Sequence, residues 1–176
     1  MASQNLDTKT NLPILGSTEL VDVSNIKNIP AKIDTGADSS AIWVSHIDMK
    51  KDGTLVFSLF GEKSPFYTSE LIETKDYIAK SVRSSHGDSQ IRYQVTLPLT
   101  LGGKTIKTPF TLANRSRNNF PILIGRRTLS GLFLVDVSKT IIPKKTPKKT
   151  KGLNQELEEN PYKFHQKYIT IPKGEL

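Results

Sequence analysis

The stretch Ala31-Lys32-Ile33-Asp34-Thr35-Gly36-Ala37-Asp38-Ser39-Ser40-Ala41-Ile42-Trp43-Val44 decides how the rest of the chain is read. An apolar run over residues 29–33 stops at Asp34-Thr35-Gly36, and a second apolar run resumes at Ala41. Asp bonds its own backbone and Gly reaches conformations closed to other residues, so the triplet marks a strand that ends and turns. Taken alone, Asp-Thr-Gly is no more than that turn. Its meaning depends on what flanks it.

Outward on both sides the pattern is one of short strands. Residues 12–15, 19–23, 41–44 and 54–60 alternate or run apolar, with Asp52-Gly53 as a turn between the last two. In the second half, residues 76–83 and 90–101 read as strands around the tight turn Ser84-Ser85-His86-Gly87-Asp88. Gly102-Gly103 is a hairpin signal leading into 105–112. Residues 120–125 form a short apolar run, 126–130 favour a short helix, and 133–137 close with a strand. Short strands at regular spacing predict a mainly β, closed barrel with one short helix.

The predicted organisation is a loose N-terminus over residues 1–12, a barrel domain over 13–142, a basic linker over 143–153 and a C-terminal segment over 154–176. The linker, Pro143-Lys144-Lys145-Thr146-Pro147-Lys148-Lys149-Thr150-Lys151-Gly152, has nothing to bury and repels itself. In the final segment, residues 168–171 read as a dimerisation or docking strand.

Composition narrows the chemistry. With no cysteine, disulfides and thiolate metal sites are excluded. His46, His86 and His165 lie far apart, without a His-Glu-x-x-His pair, so no metal site is expected. No Gly-x-x-x-x-Gly-Lys phosphate loop is present, no cofactor is expected, and any ATP dependence would come from a partner. Residues 1–7 carry neither a basic nor an apolar leader, and no apolar run reaches spanning length, so the expectation is a cytoplasmic protein without membrane contact. A formal charge of +8 favours acidic partners. Nucleic acid is not the expected one, because the lysine run has no aromatic-basic platform beside it. Arg83, Arg92, Arg115 and Arg117 point instead to an acidic peptide.

Three motifs in the right order carry a resemblance. Asp34-Thr35-Gly36-Ala37-Asp38-Ser39 resembles the active-site motif of retropepsins, and Ile122-Leu123-Ile124-Gly125-Arg126 resembles their hydrophobic-hydrophobic-Gly-Arg element. Residues 82–93, with Gly87 at the tip, resemble the flap hairpin. The chain is similar to the bacterial and archaeal retropepsin-like family found near RimK-type ATP-grasp ligases and commonly labelled ATP-dependent zinc proteases. Val82-Arg83-Ser84-Ser85-His86-Gly87, Arg92-Tyr93, residues 110–116 and residues 132–137 echo its pattern, and the likeness spans 13–142.

The resemblance implies a single-lobed acid-protease barrel and an aspartic endopeptidase. Asp34, Thr35 and Gly36 would be catalytic, with water activated between two Asp34 carboxylates of a homodimer, since such a dyad shares one proton. Ala37, Asp38, Ser85, His86, Gly87 and Ile124 would bind substrate. Asp38, Gly125 and Arg126 would support the site, the guanidinium matching the carboxylate as a two-pronged donor. A functional link to an ATP-grasp ligase follows from the same family. The competing expectation is a non-catalytic peptide- or protein-binding module on the same barrel.

Overall fold

The computed structural model of the chain describes residues 11–83, 89–141 and 148–168. These fall into two compact units, Met1–Ile142 and Pro143–Leu176. In chain order the first carries β1 (Ile14–Leu15), β2 (Thr18–Val23), β3 (Ile26–Asp34), β4 (Ser40–Met49), β5 (Leu55–Leu59), β6 (Ile72–Thr74), β7 (Ile78–Arg83), β8 (Ser89–Leu101), β9 (Lys104–Ala113), β10 (Ile122–Gly125), the short helix α1 (Arg126–Leu129) and β11 (Leu134–Val135).

Six of these strands close on themselves in the order β10-β3-β2-β8-β9-β4, and β4 pairs back onto β10. Closure leaves no unpaired edge within the ring. The mainly β barrel expected from the strand pattern is the fold observed. Strands β5 and β6 extend the sheet from β4, β7 pairs with β8 as a hairpin, and β1 pairs in parallel with β11.

The barrel closes because side chains alternate at period two, and only one face of each strand needs to be apolar. Along β8, Val95, Leu97, Leu99 and Leu101 are buried while Thr96 and Pro98 between them are exposed. Along β3, Ile29, Ala31 and Ile33 are buried and Lys32 is exposed. Both faces of β5 are covered, so all five of its residues are buried. Each fully buried Leu, Ile or Phe contributes about 1.5–3 kcal/mol relative to exposure. Gly102 and Gly103 take φ of +55° and +77° between Leu101 and Lys104, the last pair of the β8–β9 ladder. Two successive positive φ values match the right-handed twist of a hairpin, and glycine adopts them without steric cost.

Two features depart from the sequence expectation. Strand β6, only Ile72-Glu73-Thr74, is too short to carry a period. In the C-terminal unit, the described residues from 148 onward are helical where the sequence predicts a linker running to 153. The unit contains α2 (Lys148–Glu159) and α3 (Pro161–Tyr168). Residues 154–168 contain no β-branched side chain and are rich in Gln, Glu and Lys, which favours helix over strand. Asn160 caps α3 by accepting the Lys163 N–H at 2.9 Å, and Pro161 follows at the first helical position, where its missing N–H costs nothing. Glu156 of α2 accepts bonds from Lys167 Nζ at 2.6 Å and Tyr168 Oη at 2.9 Å on α3. The expected strand beyond Tyr168 lies outside the described residues. Among the described residues, no helix is long and apolar enough to cross a membrane.

Candidate functional site

The parallel pairing of β3 with β10 builds the site. Their register sets Ile33 beside Ile124 and Asp34 beside Gly125, so the turn after β3 meets the start of α1. The two segments are locked by backbone bonds from Arg126 N to Ala37 O at 2.8 Å and Arg127 N to Asp38 O at 3.3 Å. Gly125 N donates to Ser40 Oγ at 3.1 Å. Ser40 Oγ shares a 2.8 Å bond with Thr128 Oγ1, and Thr111 Oγ1 donates to Ser40 O at 3.1 Å. Ser40, Thr111 and Thr128 are all buried, and a buried hydroxyl must find a partner or destabilise the fold. A Cβ on Gly125 would lie 2.5 Å from the Ser39 carbonyl carbon, so only glycine permits this approach.

Asp34 sits at the end of β3 with its carboxylate turned back on the chain. Its Oδ1 accepts the N–H groups of Gly36 at 3.2 Å and Ala37 at 3.1 Å. Its Oδ2 lies 3.4 Å from Lys32 Nζ. Asp38 is gripped from two sides. Arg126 reaches Oδ1 through Nη2 at 2.8 Å and Nε at 3.0 Å, and Arg127 Nη2 reaches Oδ2 at 2.8 Å. The hydrogen bond from Arg126, aided by the charges of both arginines, holds the Asp38 carboxyl below its ordinary pKa. These are exposed groups, so the cluster adds little stability and serves to orient the loop.

In front of Asp34 lies a cleft of about 840 Å³ between its turn, the β7–β8 hairpin and the loop after β9. Its charge is predominantly positive. Lys80, Arg83, Arg92 and Arg115 line it against the carboxylates of Asp34 and Asp38, the latter already paired. Lys80 and Arg92 stand directly opposite each other in the β7–β8 ladder. Lys80 Nζ donates to Ser39 Oγ at 2.7 Å and so ties the hairpin to the loop after Asp34. Arg115 Nε donates to Phe120 O at 3.1 Å. Burial lowers the pKa of both Arg92 and Arg115; Arg92 lowers that of Arg115 further, and Asp34 raises it. Facing like charges cost free energy in a sheet, and here four cations are held together in one cleft.

The residues singled out from the sequence fall into three groups. Asp34, Gly36, Ala37 and Asp38 line the cleft, with Thr35 exposed at the turn, and Arg126 and Gly125 stand behind Asp38. Ile124, expected to bind substrate, is fully buried in the core, and its neighbour Leu123 lines the cleft instead. The one-residue alternation of β10 puts these two side chains on opposite faces. Ser85, His86 and Gly87 lie outside the described residues. Lys80 escaped the sequence reading because its meaning depends on facing Arg92 across the hairpin, and that register is not visible in composition.

Residues 14–146 match the RimB-like family, described as retropepsin-like aspartic endopeptidase RimB. The chain belongs to the RimB-like family. Among similar proteins are two named "Probable alpha-L-glutamate ligase", from Shewanella pealeana and Shewanella halifaxensis. Each is 31% identical over 134 residues, covering 72% of this chain and 29% of the relative. A third of the same name, from Desulfotalea psychrophila, is 27% identical over 128 residues, covering 70% and 28%. This RimB-like chain therefore spans under a third of the length of these relatives. It is also similar to a crystal structure of a protein of unknown function from Legionella pneumophila, 26% identical, with a TM-score of 0.59 over 77% of this chain and all of the other.

These findings correct the reaction drawn from the retropepsin resemblance. The family description speaks of an endopeptidase, but the curated relatives of this RimB-like chain are named ligases. Within one chain, Asp38, the other carboxylate of the cleft, is paired with Arg126 and Arg127. Among the described residues, no group of three or more His, Cys, Asp or Glu is placed to hold a metal ion. The expected assignment as an aspartic peptidase or hydrolase, with a dyad of Asp34 residues in a homodimer, disagrees with the ligase names of these relatives.

Proposed function

We propose that this chain is the acidic-peptide-binding module of an alpha-L-glutamate ligase system. The barrel holds a glutamate-bearing chain in the cationic cleft, and a ligase fused or bound to it forms the amide bond. The observation that carries this reading is the convergence of Lys80, Arg92 and Arg115 on one cleft. A glutamate ligase handles chains in which successive residues bring carboxylates, and guanidinium groups pair with these through two parallel bonds. The names of the curated relatives support the same partner. Within the cleft Asp34, held by two backbone N–H groups, presents an acceptor to a peptide N–H and sets the register of the bound chain.

Calorimetric titration of the full chain with capped tetraglutamate and tetraglutamine tests this. The glutamate peptide binds, its affinity falls with added salt, and Arg92→Gln weakens it about tenfold, the loss of one charge-assisted contact of roughly 1.5 kcal/mol. Equal binding of the two peptides, or none of either, rejects the proposal.

A further inference from the structure

A second cavity of about 520 Å³ adjoins the cationic cleft, and the two share Arg92, Ala113 and Asn114 as lining. Its character is different. Beyond the shared residues it is walled by Ile47, Ile91, Tyr93 and Leu112. Ile91 is 71% exposed and Ile47 44% exposed, although each lies in a strand where a polar residue would serve the fold as well. Apolar side chains left in water beside a charged cleft are at odds with folding alone and fit a surface that becomes covered on binding.

We infer that this cavity is an apolar subsite of the same cleft, and that the preferred ligand is an acidic peptide carrying a leucine- or phenylalanine-sized residue next to its acidic run. The inference rests on the acidic-peptide reading above. The occupant follows from charge and continuity. Arg92 belongs to both cavities, so a ligand carboxylate paired with it in the cationic cleft leaves the neighbouring side chain at the apolar wall. A chain of glutamates alone satisfies the first cavity and leaves the second wet. One bulky apolar residue fills it, and the polar ends of Asn114 and Gln90 at its border receive the peptide backbone.

The test compares capped tetraglutamate with two capped extensions of it by calorimetry on the full chain. One extension carries a leucine before the glutamate run, the other a leucine after it. One leucine-bearing peptide binds at least about tenfold more tightly than tetraglutamate, as burial of one leucine side chain allows. Ile91→Ser, a change at an exposed position, removes that gain while tetraglutamate affinity stays as it was. If tetraglutamate binds and neither leucine peptide gains, or if the gain survives Ile91→Ser, the subsite is refuted and the acidic-peptide reading stands. If no acidic peptide binds, both fall together.

Discussion

Replacing Gly125 by alanine tests the joint on which the candidate site is built. The backbone there has φ −85° and ψ 167°, a region open to alanine, so the substitution carries no conformational penalty. The whole effect is steric. The new Cβ would sit 2.5 and 2.6 Å from the Ser39 carbonyl and 2.9 Å from Ala37 O, all backbone atoms that cannot rotate away. Relief requires β10 and the Asp34 loop to part by about 1 Å, since carbon contacts settle near 3.5–4.0 Å. That separation stretches the bonds from Gly125 N to Ser40 Oγ, now 3.1 Å, and from Arg126 N to Ala37 O, now 2.8 Å. Overpacking at about 1–3 kcal/mol and the weakening of one or two buried hydrogen bonds at about 1 kcal/mol each give a loss of roughly 3 kcal/mol. At about 2–4 °C per kcal/mol for a chain of this size, the melting temperature falls by roughly 10 °C. Urea unfolding followed by circular dichroism reads the free-energy loss directly. Gly103→Ala is the comparison: nothing lies within 4 Å of its Cβ, and its φ of +77° carries only the left-handed penalty of about 1–2 kcal/mol. A Gly125→Ala loss no larger than that of Gly103→Ala refutes the claim that this contact fixes the site.

Four further outcomes are expected. Ser40→Ala strands the buried Gly125 N–H and the Thr128 hydroxyl and lowers stability by about 1–3 kcal/mol in urea, while Thr128→Ser, which keeps the hydroxyl, stays near wild type. Arg92→Gln, besides weakening tetraglutamate, leaves the melting temperature unchanged or slightly raised, because it removes like-charge repulsion with Lys80 and Arg115; a marked fall contradicts the picture of a cleft held against its own charge. Hydrogen bonds from Asn28 N–H and Lys27 depress the pKa of Asp22, and those from Thr54 N–H and hydroxyl depress that of Asp52. A depressed folded-state pKa stabilises above the unfolded value near 3.8 and is lost as pH falls through the folded value, so the melting temperature drops below about pH 4 and drops less steeply in Asp52→Asn. Gly61→Ala would bring a Cβ within 2.7 Å of Trp43, the single tryptophan, and so shifts intrinsic fluorescence while leaving tetraglutamate binding intact.

The barrel was legible because burial at period two is written directly into residues such as Val95, Leu97, Leu99 and Leu101. The hairpin at Gly102-Gly103 was legible because few other dipeptides accept two positive φ values. The Asp34 turn and the Gly125-Arg126 element could each be found in the sequence. Their meeting depends on a parallel β3–β10 register between residues far apart in the chain, which no local pattern encodes. The same limit explains Ile124: an apolar run over residues 122–125 does not say which of its side chains faces the core. Lys80 and Arg92 acquire their meaning only when the hairpin ladder sets them face to face. The start of α2 was read as linker because a lysine-rich stretch resembles a solvated one, and α3 carries no signal until the cap at Asn160 and the Glu156 bonds to Lys167 and Tyr168 are in place.

The most direct test of the central claim is a nuclear magnetic resonance titration of the isotope-labelled full chain with capped tetraglutamate. Binding in the cleft shifts the signals of Lys80, Arg92, Arg115 and the Asp34–Asp38 loop, saturably and less strongly at high salt, with tetraglutamine silent. Shifts confined to the lysines of the C-terminal unit, or no saturable shift at the cleft, would contradict it.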